Sequence, residues 1–188
     1  MFTIAEIRMR PTRGQIENFS ISPKMWAKAL QYCDEHKEEL VRAAAFSQRH
    51  AVSHRAFQVG CAAIGLGPNL EEGEYIVRQA YNFTPTPKFR KGSEKRCAER
   101  NALEAAQSDC KAVLGIATSS RGVYTGDSTK AHNALHPCRD CRDYYRDLLR
   151  RGFLREDTRI LSGNNSGEET LIETRTLKEL LNLYLDDA

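Results

Sequence analysis

The chain reads as an α/β protein, a three-layer α/β/α sandwich around a mixed five-stranded sheet. Three observations predict this. Helix-like and strand-like stretches interleave in the order helix, two strands, helix, strand, helix, two strands, helix, an order that sets a mixed sheet between helical layers. The strand-like stretches are short and separated by polar or glycine-bearing turns. With 188 residues, 40% hydrophobic and 28% charged, the chain is long enough to bury a full core as one domain of ordinary composition.

The elements follow in order. Residues 1–21 lack strong periodicity and carry Arg8, Arg10 and Arg13 beside Pro11, so they read either as an arm packed on the domain or a partner, or as a frayed terminus. The domain proper is expected over residues 22–188. Ser22-Pro23 has the form of a helix start, Ser as N-cap and Pro in the first turn. From Met25 to about His50, Trp26, Leu30, Leu40, Ala44 and Phe46 recur at helical spacing. Phe57 to Ile64 reads as a strand, Gly65 to Gly73 as a turn, and Tyr75 to Phe83 as the returning strand of a hairpin. A polar, proline-bearing loop from Thr84 to Glu94 leads to a helix from Cys97 to about Ser108, built of good helix formers. Ala112 to Thr118 reads as a buried strand, Arg121 to His136 as a long loop and Cys138 to Arg151 as a helix. Arg159 to Ser162 and Thr170 to Glu173 suggest two short strands around the turn Gly163 to Gly167, and Thr176 caps a last amphipathic helix reaching Asp186.

Several function classes are set aside by composition. No run approaches the roughly eighteen apolar residues of a membrane span, and the N-terminus lacks the apolar region of a signal peptide, which points to the cytoplasm. A net charge of +3 is too small to argue for nucleic acid by itself. Six cysteines in a chain of this kind favour reduced thiols or metal over disulfides. Cys33, Cys61 and Cys110 have no partner spacing and read as small buried hydrophobes.

The other three cysteines carry the chemistry. Cys97-Ala98-Glu99 and Pro137-Cys138-Arg139-Asp140-Cys141 supply three soft ligands and one carboxylate. Structural zinc takes four protein ligands and closes, whereas catalytic zinc takes three and keeps one position for water. Both stretches fall at loop-to-helix junctions, where the helix dipole and free N–H groups favour thiolate over thiol. Cys138 and Cys141 are one turn apart and face the same way, and Cys97 comes from a different helix. Glu99 lies in the same first turn as Cys97, suited to taking a proton from a water whose pKa zinc lowers from about 15.7 to roughly 7.

Charge counting adds a residue. Three thiolates and one Zn²⁺ sum to −1, and this surplus would raise the pKa of the water. A nearby cation offsets it, on a scale of about 4 kcal/mol for unit charges about 4 Å apart at an effective dielectric of about 20. Arg100 and Arg142 are the candidates, with Arg100 preferred. Two rival readings stand beside the catalytic one: a Cys-x-x-Cys redox pair, and a closed structural site with His136 as fourth ligand, which the short span across Pro137 makes awkward.

A ligand-x-Glu followed by Pro-Cys-x-x-Cys is the signature of zinc deaminases, including a three-cysteine version. Over about residues 24 to 188 the chain resembles the cytidine deaminase family, particularly its small three-cysteine members. Phe57-Gln58-Val59-Gly60 looks like the family's Phe-x-Val-Gly strand, Cys97-Ala98-Glu99-Arg100 matches its Cys-Ala-Glu-Arg run, and Thr176 to Leu181 is similar to its C-terminal helix, with Tyr184 or Leu185 as the two candidates for its terminal aromatic position. The resemblance implies a cytidine deaminase-like fold in which Cys97, Cys138 and Cys141 bind Zn²⁺. Glu99 would shuttle a proton to the ring nitrogen and then to the leaving amine. The Ala98 N–H would meet the base carbonyl, Phe57 would line the pocket, Asn82 would hold the sugar and Arg100 would contact the thiolates. The implied reaction is hydrolysis at C4 of a cytosine-like ring with release of ammonia, the work of a hydrolase acting on a cyclic amidine in a nucleoside or nucleotide. Members of this size are generally homo-tetramers or dimers.

Departures from the pattern bear on the substrate. Where members acting on free cytidine carry Asn-x-Glu, this chain reads Asn82-Phe83-Thr84, a run also similar to blasticidin S deaminase. The loop from Asn82 to Cys97 is longer than usual and carries Lys88, Arg90, Lys91, Lys95 and Arg96. A lost carboxylate with added cations suits a charged or enlarged substrate, although a merely solvated loop explains the cations equally well. Two alternatives remain: a deaminase of single-stranded nucleic acid, for which that loop has only Phe83 and Phe89 for stacking, and a non-catalytic, zinc-stabilised interaction module.

Overall fold

A computed structural model describes residues 21–53, 58–69, 73–84, 96–121, 136–164 and 171–184. The N-terminal arm up to residue 20, Phe57, Phe89, the loop cations Lys88, Arg90, Lys91 and Lys95, most of the long loop before His136 and Leu185 lie outside the described residues. Within them the chain runs α1 (Pro23–Glu35), α2 (Lys37–Gln48), β1 (Val52–Ser53), β2 (Gln58–Leu66), β3 (Tyr75–Tyr81), β4 (Phe83–Thr84), α3 (Ala98–Asp109), β5 (Ala112–Arg121), α4 (Arg139–Arg150), β6 (Arg159–Asn164), β7 (Leu171–Thr176) and α5 (Leu177–Asn182).

Five strands form the sheet, in the order β3-β2-β5-β6-β7. β2 pairs antiparallel with both β3 and β5, β5 pairs parallel with β6, and β6 antiparallel with β7. The mixed character follows from the connections. The hairpin β2–β3 and the pair β6–β7 return directly, whereas β5 and β6 are joined through α4, the crossover that a parallel pair requires. Side chains then sort by the twofold alternation of strands, offset once where the β2–β5 register shifts at Ile64/Gly65. Val59, Cys61 and Ala63 of β2, with Val113 and Ile116 of β5, pack with residues of α3, α4 and α5 on one face. Ala62, Ile64 and Leu66, with Leu114 and Ala117, pack under α1 and α2 on the other. The expected three-layer α/β/α sandwich with a mixed five-stranded sheet is thus observed. No helix among the described residues is long and apolar enough to cross a membrane.

Four expectations need correction. The helical stretch from Met25 to His50 is two helices. The chain turns at His36 (φ −108°, ψ 16°), whose ring stacks on Tyr32 at 4.0 Å, which in turn stacks on Tyr75 at 3.9 Å. Periodicity hides the break because both helices bury residues of the same core cluster; the acidic start Glu38-Glu39, favoured at a helix N-terminus, was its signal. The second strand of the hairpin divides at Asn82, and the two residues beyond it pair in parallel with β1. β6 runs on through Gly163 and Asn164, two residues expected in the turn. The last helix ends at Asn182 rather than Asp186.

Helix ends follow their local chemistry. Ser22 accepts the Met25 N–H at the start of α1, and Thr176 with Glu179 forms a capping box at the start of α5. Past the end of α4, Gly152 takes the left-handed conformation (φ 73°) common at that position. α1 is tied to the segment before β6 by Trp26 Nε1 donating to Asp157 (2.8 Å), Arg155 over the indole (4.3 Å) and a bidentate Arg159–Asp34 pair (2.8 and 2.9 Å).

α2 lies so close to β2 that a Cβ on Gly60 would stand 1.9 Å from the Ala44 carbonyl oxygen and 2.4 Å from the Gln48 nitrogen. Backbone cannot yield as a side chain can. Gly60→Ala is therefore expected to destabilise the protein by at least about 3 kcal/mol, the upper end of ordinary overpacking; a denaturant midpoint unchanged from the parent would contradict this contact.

Candidate metal centre

α3 and α4 begin at the site. Cys97 is the N-cap of α3 and Cys138 the N-cap of α4, both with extended backbone, and Cys141 lies in the first turn of α4. The three Sγ atoms lie within 4.8 Å of one another, those of Cys97 and Cys138 3.6 Å apart. No fourth His, Cys, Asp or Glu among the described residues joins them. Three thiols at this separation are a donor set suited to a soft or borderline divalent metal such as zinc.

α3 reaches this position because its inner face is small. Ala98, Ala102 and Ala106, spaced one turn apart, are fully buried, and they pack in one cluster with Cys61 and Ala63 of β2. Glu99 shares this burial at 6% exposure, unusual for a carboxylate. Its charge reaches Cys61 and Tyr145, both fully buried. Burial first, and Glu99 second, push the proton affinity of each well up.

The thiols also resist ionisation. Cys97 is pushed up to about 12, chiefly by its hydrogen bond with Cys138, and Cys141 is raised by its bonds to Cys138 and Cys97. Crowded thiols and a nearby carboxylate repel added negative charge, and a divalent cation reverses that preference.

The remaining expected residues divide. Ala98 occupies the first turn of α3, whose N–H groups have no intrahelical acceptor. Asn82 is buried and anchored on β2: its N–H donates to the Val59 carbonyl (3.0 Å) and its Oδ1 accepts the Val59 N–H (2.9 Å). Arg100 is half exposed, bonded to Glu104 at 3.1 Å and lying over the Tyr144 ring at 5.2 Å. Arg142 is the buried cation, donating through Nη1 to the Pro137 carbonyl (3.0 Å). His136 directs Nδ1 to Tyr184 Oη at 2.5 Å and Nε2 toward Glu173 at 3.6 Å. It is no member of the cysteine cluster.

Sequence reasoning missed two sets of contacts. Phe83 and Arg96 exchange both backbone hydrogen bonds at 3.0 Å, closing the base of the segment between them directly before Cys97. Tyr184, from the far end of the chain, touches both His136 and Arg142. A β-former just past Asn82 (Phe83) and a lone terminal aromatic (Tyr184) were the only signals.

Thiol reactivity follows from burial. Cys33 and Cys110, pushed up to about 12 by burial, hold about a thousandfold less thiolate at pH 8 than an ordinary thiol. Iodoacetamide on the folded, metal-free protein is expected to label exposed Cys138 first, and Cys33, Cys61 and Cys110 only on unfolding. Peptide mass spectrometry showing Cys110 labelled as fast as Cys138 would refute this ordering.

No family model matches the sequence, and no curated protein matches it. Solved structures do. The chain is similar to a cytidine deaminase from Burkholderia pseudomallei (TM-score 0.50, 18% identity, covering 76% of this chain and 94% of that one). It also matches a cytidine deaminase from Mycobacterium tuberculosis (TM-score 0.40, 20% identity, covering 77% and 92%). At such identity the first likeness is one of fold: this chain shares the mixed-sheet α/β architecture of the Burkholderia enzyme.

Proposed function

We propose that the protein is a zinc-dependent hydrolytic deaminase that converts a cytosine-type base in a nucleoside, nucleotide or nucleoside analogue to the uracil form. The observation that carries this reading is the convergence of three thiols from two helix starts, with the buried carboxylate of Glu99 two residues beyond one of them. Cys97, Cys138 and Cys141 would hold the metal, and bound zinc supplies Lewis acidity and a water acidic enough to lose its proton near neutral pH. Three protein ligands leave room for that water, as in catalytic rather than structural sites.

The chain's own groups do the rest. Glu99 takes the proton of the attacking water and passes it to the ring nitrogen next to C4. The water oxygen adds to C4; Glu99 then takes the second proton, that of the new C4 hydroxyl, and delivers it to the exocyclic amine, so that the C4–NH2 bond breaks, ammonia leaves and C4=O remains. Burial suits Glu99 to this, because a carboxylate shielded from bulk water passes the proton it takes up to the bound substrate and not to solvent. The Ala98 N–H at the head of α3 would receive the base carbonyl, Phe57 would line the pocket, and the Asn82 amide would meet the sugar. Arg100 would offset the surplus charge of the thiolates.

One observation favours a second substrate class, single-stranded nucleic acid. Tyr81 and Phe83, exposed at 40% and 38%, flank Asn82 and could stack bases.

The test is zinc content with ammonia release over cytidine, deoxycytidine, their monophosphates, aminoacylated cytosine nucleosides and a cytosine-bearing oligonucleotide. The wild type is expected to carry one zinc and to deaminate at least one small substrate. Glu99→Ala should keep the zinc and lower kcat by about 10²–10⁴-fold, the range of general acid–base catalysis. Release from none of the substrates by zinc-loaded protein would sink the deaminase reading; release from the oligonucleotide alone would establish the second class. Arg100→Ala should slow turnover with zinc retained, and an unchanged pH–rate profile in that variant would remove Arg100 from the mechanism.

A further inference from the structure

The segment Pro137 to Cys141 is gripped at both ends by one side chain. Tyr184 stands in the turn after α5, its N–H bonded to the Leu181 carbonyl (3.1 Å) and its own carbonyl approached by Arg146 (3.5 Å). Its hydroxyl meets His136 Nδ1 at 2.5 Å, with the two rings edge to face. Its ring face carries the Arg142 guanidinium, 3.9 Å from the centroid. His136 lies two residues before Cys138, and Arg142 one residue after Cys141. Arg142 in turn holds the Pro137 carbonyl at 3.0 Å, and its N–H bonds the Cys138 carbonyl at 3.0 Å. A planar guanidinium stacked on an aromatic face has its in-plane donors aimed in fixed directions. Fixing Arg142 therefore fixes the carbonyl immediately before the ligand.

We infer that Tyr184 is a positioning residue for the metal centre: by holding His136 and Arg142 it sets the geometry of the Cys138–Cys141 turn from the C-terminal end of the chain. The inference rests on the metal site of the proposed function. Tyr184 acts in this role through the two residues that flank the thiols, as groups behind a metal's ligands orient those ligands. Two parts of the side chain contribute separately, the hydroxyl to His136 and the ring to Arg142, so conservative and radical replacements separate them.

The experiment is titration of the full chain with Co²⁺ against a competing chelator, read by the thiolate-to-cobalt charge-transfer band and the ligand-field bands. The wild type is expected to bind one Co²⁺. Tyr184→Leu keeps apolar bulk but loses both contacts, and should bind about 10–100-fold more weakly, with shifted ligand-field bands. Tyr184→Phe keeps the ring under Arg142 and should recover most of the affinity. Leu183→Ala, on the exposed side of the same turn, should match the wild type. Wild-type affinity and spectrum in Tyr184→Leu would overturn the positioning role, as would an equal loss in Leu183→Ala. A wild type that takes up no Co²⁺ would instead overturn the metal reading and this inference with it.

Discussion

Three thiols can gather within 4.8 Å only if two helices from different parts of the chain start at the same end of the same face of the sheet. α3 and α4 meet that condition through the middle of the fold. β5 lies between them in sequence, and α4 crosses from β5 to its parallel neighbour β6. Right-handed crossover of such a unit sets which face α4 occupies. The small inner side of α3 then decides how near Cys97 stands. Alanines at 98, 102 and 106 bring the helix down on Cys61 and Ala63, where larger residues would lift it away. The thiol cluster is thus a product of sheet topology and helix packing.

Charge works against the same arrangement. The close packing that assembles the thiols also buries Glu99 among Cys61, Tyr145 and the cluster, and each of these groups holds its proton more tightly for it. A divalent ion is the species that makes three thiolates and a carboxylate compatible in so small a volume. Arg142, buried on Tyr184, puts a cation one residue beyond Cys141.

The residues that made the fold legible were those with local rules: Ser22 and Thr176 as caps, the alternation of β2, the unbroken apolar run of β5. The thiols were legible because their spacing is itself local, one helical turn for Cys138 and Cys141. What escaped was settled by partners distant in sequence. His36 breaks the first helical stretch while stacked in line with Tyr32 and Tyr75, and Asn82 ends a strand because its side chain replaces a strand partner at Val59. Tyr184 reaches back 48 residues to His136. None of these contacts leaves a periodic trace, since each depends on the sheet having already brought its members together.

The backbone pair between Phe83 and Arg96 clamps the chain on its approach to Cys97. Both ends of the intervening segment are fastened to each other by two hydrogen bonds, and Asn82 fastens the entering end to β2. Cys97 follows at once on the closed end. Lengthening a closed loop is thermodynamically mild, about 0.6 kcal/mol for each doubling. A change in the length of the segment that Phe83 and Arg96 close is therefore expected to leave Cys97 where the pair puts it.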